Sequence, residues 1–482
     1  MMKNSLLWFR NDLRLHDHIP LTKALDSNTL LPLYVIDESL FEPHPQLGFK
    51  KMEIRRAQFL LETLADLDGK LRSLNSKLLV LVGDPAKLIP ELIDTYQITD
   101  LYHQAEPAYE ERTLRNTIKE KITPDVNVHS FWGSTLYQLS DIPFSGSDIP
   151  DVYTNFRKKC EKQSDVRDPL PVPKKLPPLP SGVESGESTI PKLGGLGYDK
   201  EPEFDERAVL HFKGGETEAL KRLNDYIWER DHLKNYKKTR NGMLGANYSS
   251  KFSPWLAVGA LSPRMIHKEV KKYEAERVSN QSTYWMIFEL IWRDYWKFLF
   301  VKHDPKIFYP GGIQDKQVDW KHDAEIFNRW ADGTTGFPFM DANMRELKRT
   351  GFMSNRGRQN VASVLAKNLG IDWRLGAAWF ESQLIDYDVY SNYGNWTYVA
   401  GVGTDSRDRY FHIVNQAKKY DAEGEYVKHW LPELSKVPGK LLPEFHKQNS
   451  EELKMYDVVL GVDYPEPIID LEESYERLRN KD

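Results

Sequence analysis

Of its 482 residues, the chain spends only one on cysteine, Cys160. No intramolecular disulfide can form, and no cysteine-ligated cluster can be built. Such usage fits a reducing compartment, and the expected location is intracellular, in the cytoplasm. Long apolar runs are lacking as well. No stretch reaches the roughly 18 apolar residues of a membrane span. The opening "MMKNSLLWFRNDLRL" has too short an apolar run before Arg10 to read as a signal peptide. Charge of one sign is also scarce: the net value is −5. No global field draws the protein to nucleic acid or anionic lipid, so a nucleic-acid site has to be a local basic patch. Finally, no G-x-G-x-x-G follows the first strand-like run, which leaves dinucleotide binding in the usual crevice unsupported.

What the chain has in quantity is aromatic: 13 Trp, 24 Tyr and 21 Phe. Its length exceeds one ordinary core, so two or more domains are expected. The first part alternates short apolar runs ("SLLWFR", "LLPLYVID", "KLLVLVGD", "ITDLYHQ", "NVHSFWG") with helix-like segments. That alternation predicts a doubly wound parallel-sheet α/β domain. Residues 160–205 are rich in Pro, Gly and Ser, as in "DPLPVPKKLPPLPSGVESGES", and read as a linker draped over the surface. From Glu206 onward the periodicity is helical, as in "ETEALKRLNDYIWERDHLKNY" and "STYWMIFELIWRDYW". The predicted organisation is an α/β domain (1–135), a long linker (136–205) and a C-terminal all-helical domain (206–482). The last 40 or so residues look weakly structured.

Three stretches carry chemistry. In "STYWMIFELIWRDYW", taken as a helix capped by Ser282, Trp285, Glu289, Trp292 and Trp296 share one face. Ile287, Leu290 and Ile291 make the opposite side apolar, so the helix is buried and Glu289 is an expensive carboxylate. It is either ion-paired with Arg293 at i+4 or an acid facing a ligand in an aromatic pocket. In "DWRLGAAWFESQLIDYDVYSNYGNW", Asp372 can cap a helix, and Trp373 lies in a stripe that reads as core or as part of a cofactor site. Asp386, Asp388 and Asn392 follow where the chain turns. Tyr390, Ser391 and Thr397 occupy places where a calcium loop needs other residues, so no metal is expected there. The acids want donors, and "SNRGRQN" offers Arg356 and Arg358. In "YSSKFSPWL", Ser249, Ser250 and Ser253 supply hydroxyls, with Ser253-Pro254 as N-cap and N1 of a helix. This is a phosphate site or ordinary cap chemistry.

Together with "LLWFRNDLRLHDH" and "YVKHWLPEL", these stretches resemble the photolyase/cryptochrome flavoprotein family over nearly the whole chain. Within it the chain is similar to the cryptochrome DASH branch, marked by "IPDVYTNFRKKCE" and "SNYGNWTYVAGVG". The resemblance implies FAD in the helical domain. Tyr236, Ser249, Ser250, Lys251, Phe252, Ser253, Arg293, Arg358, Asp386, Asp388 and Asn392 would bind it, Arg358 pairing with Asp386 and Asn392 facing flavin N5. Glu289, Asn355, Trp292 and Asn392 would be catalytic. Trp396, Trp373 and Trp320 would relay electrons to the surface. The implied reaction is light-driven: excited FADH⁻ lends an electron to a cyclobutane pyrimidine dimer, the ring opens, and the electron returns. A 5,10-methenyltetrahydrofolate antenna would sit at Glu111, with Glu110 beside it.

Some positions depart from the duplex-repairing relatives. Gln359 stands where those have Met, and Tyr398 where they have a second pocket Trp. A more polar lesion pocket offsets less of the cost of base extrusion, which favours single-stranded DNA. Ser354 replaces the catalytic His of (6-4) photolyases, and the lone Cys160 argues against the iron–sulfur branch. Lys237, Lys238 and Arg240 in "NYKKTRNG" are either a DNA-contacting rim or a solvated helix end. The expected protein is a monomeric single-strand photolyase. The alternatives are a photoreceptor without repair activity and an electron-transferring flavoprotein.

Overall fold

The computed structural model describes residues 3–183, 186, 189–405, 407 and 409–480. Five strands, β1 (Asn4–Trp8), β2 (Thr29–Asp37), β3 (Leu79–Gly83), β4 (Asp100–Gln104) and β5 (Asn127–Phe131), form one sheet of order β3-β2-β1-β4-β5. All pairs are parallel, and Leu6 pairs with Leu31 on one side and Leu101 on the other. Alternation along β1 sends Leu6 and Trp8 to the face covered by Ala86, Ile89 and Ile118. Leu7 and Phe9 face Ala57, Leu60 and Leu64. Helices therefore cover both faces, as a parallel sheet requires. All five strands fall on the expected runs, and the remainder is helical.

Five helices position the site: α1 (Tyr153–Gln163), α2 (Gln281–His303), α3 (Asn355–Ser363), α4 (Trp373–Gln383) and α5 (Val389–Ala400). The α2 cap is Asn280, not Ser282. Asn280 Oδ1 accepts from the Ser282 and Thr283 amides while Thr283 Oγ1 accepts from the Asn280 amide. A reciprocal box satisfies more orphan donors than a lone serine could.

Other elements depart from the sequence pattern. The run from Glu216 is not one helix. It breaks after a π turn at Asp225–Glu229, where Asp231 takes a left-handed backbone (φ 55°). Helix α1 lies within the expected linker and buries Tyr153, Phe156 and Cys160 against α2. The C-terminal segment is not weakly structured. Gly439–Lys447, Ser450–Lys454 and Leu471–Arg479 are helical, and Leu442, Phe445, Leu453, Leu471 and Tyr475 enter the core. These short pieces have little periodicity of their own and are held by tertiary bonds, such as the Ile413 amide to Tyr475 Oη at 2.8 Å.

Helices α4 and α5 touch more closely than ordinary side chains allow. A Cβ on Gly376 of α4 would sit 2.3 Å from Cη2 of Trp396 on α5. Gly376→Ala should therefore destabilise the protein by about 2 kcal/mol, a typical overpacking cost. An unchanged midpoint in urea unfolding would mean that the indole moves aside freely.

Candidate functional site

The three chemistry-bearing stretches meet around one cavity of about 590 Å³, within the ~300–1,000 Å³ usual for ligand sites. One wall is the 246–253 loop. Lys251 adopts φ 60°, and the buried Arg222 ties the loop from behind, donating to Ser250 O (3.0 Å), Ala246 O (3.0 Å) and Asn247 Oδ1 (3.1 Å). Sequence reading missed Arg222, because nothing in its helix announces a loop clamp. Ser253 begins a short helix rather than capping it, and its Oγ donates to Asp386 Oδ2 at 2.6 Å. Lys251 is 2% exposed, its ammonium packed on the Tyr248 ring and 3.3 Å from Ser249 Oγ. Burial drives its pKa well below the ordinary lysine value.

The opposite wall is polar. Arg358 on α3 grips Asp386 through Nη2, at 2.8 and 3.0 Å from its two oxygens. Asp388 caps α5, accepting from the Ser391 amide at 2.8 Å. Arg293 of α2 lies 3.8 Å from Asp388 and donates to Ser134 O and Leu256 O. Asn392 is 8% exposed, and its Nδ2 donates to Ala377 O at 3.0 Å, which fixes the amide at the cavity wall. Arg356 contributes nothing to the acids: it donates to Gln359 Oε1 and stacks on Tyr420.

Glu289, Trp285, Trp292 and Trp296 line the cavity together, as the helical spacing requires. The partner of Glu289 is Arg240, at 2.7 Å, and not Arg293 at i+4. Arg240 thus turns into the cavity, with Tyr236 beside it in the wall. Burial raises the Glu289 carboxyl above its ordinary range, against the opposing pull of Arg240. Gln359 and Tyr398 also line the cavity, and Asn355 opens α3 at its exposed edge. Ser354 caps α3, accepting from the Gly357 amide at 3.0 Å. Lys237 lies over the Trp285 ring, whereas Lys238 is exposed. Tyr153 of α1 was not foreseen. Its ring stacks on Trp292, with centroids 3.5 Å apart and planes 12° from parallel.

Trp396 and Trp373 are buried and Trp320 is half-buried. Trp396 rests against Gly376, three residues along α4 from Trp373. The Trp373 and Trp320 indole N–H groups both donate to Pro310 O, each at 3.1 Å, so these two rings meet on one acceptor. In the α/β unit, Glu110 is exposed and paired with Lys51 at 2.6 Å. Glu111 is different: its Oε2 is buried without a hydrogen-bond partner, and burial raises its carboxyl to about 7.

A parallel α/β unit stands beside a helical unit whose polar cleft is lined by serines, carboxylates and guanidinium groups. Residues 285–481 match the FAD binding domain of DNA photolyase, and residues 5–176 match the DNA photolyase domain. The chain belongs to the photolyase/cryptochrome family, in its cryptochrome DASH branch. The cryptochrome DASH of Gloeobacter violaceus is 53% identical over 475 residues, 98% of this chain and 94% of that protein. The crystal structure of the Synechocystis cryptochrome superposes with a TM-score of 0.95 at 48% identity, covering 100% of this chain and 99% of that one. A bacterial class III photolyase from Agrobacterium tumefaciens gives 0.84 at 29% identity, covering 100% and 97%. Much of the cavity wall lies within the matched FAD binding domain, and the donor set of the cavity fits that cofactor. Hydroxyls and a buried lysine suit phosphates, while an amide and carboxylates suit the ring edge of a flavin.

Proposed function

We propose that the protein splits cyclobutane pyrimidine dimers in a light-driven reaction, preferentially in single-stranded DNA. The observation that carries this reading is the Glu289–Arg240 pair, set among Trp285 and Trp292 in the same cavity as the flavin-type wall. Ser249, Ser250, Lys251, Phe252 and Ser253 would hold the phosphates and ribityl chain, with Tyr236 alongside. Asp386, Asp388, Asn392, Arg293 and Arg358 would hold the flavin ring. Reduced FAD, when bound, supplies light absorption and the electron that dimer cleavage borrows. The protein's own residues bind the dimer, exclude water and stabilise charge. The Arg240 guanidinium can meet a pyrimidine carbonyl that gains negative charge, and a protonated Glu289 carboxyl can donate to the same oxygen. Trp292 offers a ring face to the base, and Asn355 a polar contact at the edge.

Strand preference follows from the polar groups opposite. Gln359 and Tyr398 give an extruded dimer less apolar contact than Met and Trp would. Extrusion from a duplex costs a few kcal/mol, and a single strand avoids most of it. We also propose Glu111 as the ligand of a 5,10-methenyltetrahydrofolate antenna, because its orphaned carboxyl oxygen wants a donor; Glu110 already has one in Lys51.

The deciding experiment is blue-light repair of dimers in single-stranded and duplex oligonucleotides. Duplex binding should be weaker by an order of magnitude or more, about 1.4 kcal/mol per tenfold. Equal repair of both would sink the pocket argument, and no repair of either would leave a photoreceptor. Glu289→Gln should retain FAD and slow single-strand repair about tenfold, equivalent to ~1.4 kcal/mol of barrier. An unaltered rate would remove Glu289 from the lesion contact.

A further inference from the structure

From the segment "IPDVYTNFRKKCE" only Tyr153 has so far entered the site, through its stack on Trp292, yet a second residue of α1, Arg157, also packs against a ring of the cavity wall. Trp285 and Phe288 of α2 stack on each other, centroids 4.5 Å apart and planes 22° from parallel. Both rings line the cavity, and both keep partial solvent exposure. A cation is held on each. Lys237 Nζ lies 4.2 Å from the Trp285 centroid, and the Arg157 guanidinium of α1 lies 5.4 Å from that of Phe288. Lys237 Nζ also donates to Gln281 Oε1 at 2.8 Å. Arg157 Nη1 donates to Glu161 Oε2 and to Tyr284 Oη, both at 2.6 Å, while its Nε has no hydrogen-bond partner. Two cations from distant parts of the chain thus flank a stacked aromatic pair that lines the cavity.

We propose that Arg157 and Lys237 form a phosphate clamp for a single strand of DNA whose pyrimidine pair enters the cavity. This rests on the reading of the cavity as a lesion site. The Trp285–Phe288 stack sets the spacing, and cation–π contact holds each charge before the strand arrives, which lowers the ordering cost of binding. Glu161 and Tyr284 aim Arg157 along α1. Glu289 is engaged with Arg240; Lys237 is held by the neutral Gln281, and Arg157, ion-paired with Glu161 through Nη1, has to share its guanidinium between that carboxylate and a phosphate. A duplex presents phosphates on a stiffer, wider rod, so a clamp of fixed span beside the cavity favours the flexible strand.

The test uses the FAD-loaded protein and a labelled, undamaged oligothymidylate, with binding followed by fluorescence anisotropy across a KCl series. Arg157→Gln and Lys237→Gln should each weaken binding and lower the slope of log affinity against log salt by about 0.7, and the double variant by about 1.4. Trp285→Leu should weaken binding although no charge is removed, because the spacer is lost. Lys436→Gln, a cation paired with Asp457 away from the cavity, should change nothing. Flavin content checks folding in every case. If the parent binds and Arg157→Gln keeps its slope, the clamp is wrong while the lesion reading stands. If the parent does not bind single strands, both fall.

Discussion

Asp386→Ala is expected to strip FAD from the protein and to destabilise it by about 3 kcal/mol, the lower end of the cost of breaking a buried ion pair. The lower end applies because the Arg358 side chain is 25% exposed while that of Asp386 is 2% exposed. Removing the acid leaves the guanidinium with the Met353 carbonyl as its one hydrogen-bond acceptor among the described residues and takes the partner of Ser253 Oγ away. The loop wall and α3 are joined through this one carboxylate, so two sides of the cavity lose their tie together. Asp386→Asn keeps the shape and removes the charge, and it should lie between the two. The measurements are the flavin-to-protein absorbance ratio after purification and the urea midpoint. A yellow Asp386→Ala protein of parental stability would show that the loop and α3 are held by other contacts.

Trp396→Phe should abolish most blue-light reduction of oxidised FAD by an external thiol. Trp396 lies in the cavity wall and against the α4 backbone, so it is the indole through which an electron from Trp373 would reach the cavity. Trp373→Phe and Trp320→Phe should act in the same direction, because a series relay fails at any link. Repair by chemically reduced protein should survive the two outer changes, since they touch neither cofactor nor lesion. Normal photoreduction in all three variants would make these rings packing residues only.

What was legible in the sequence was local or periodic. The five strands appear as short apolar runs, and the Trp285–Glu289–Trp292–Trp296 face follows from helical spacing alone. Asp386 needed a donor, and Arg358 was one of two arginines offered. What stayed hidden was set by tertiary placement. Arg240 meets Glu289 from a separate helix, and no spacing rule predicts a pair between segments that far apart in the chain. Tyr153 stacks on Trp292 from a region whose following Pro, Gly and Ser suggested a passive connection. Asn280 won the cap from Ser282 because the side chain that fits two amides was two residues upstream of the obvious hydroxyl.

The placement of α1 bears on how the polypeptide can be cut. Ile142, Ile149, Phe156 and Cys160 precede the Pro-rich connection yet share a core with Tyr295, Phe298 and Leu299. A fragment starting at residue 206 would leave that side of α2 bare, exposing a strip of aromatic surface prone to aggregation. The dissectable helical half therefore begins upstream of Ile142, and a protease nick in the Pro-rich connection would yield two pieces that stay associated.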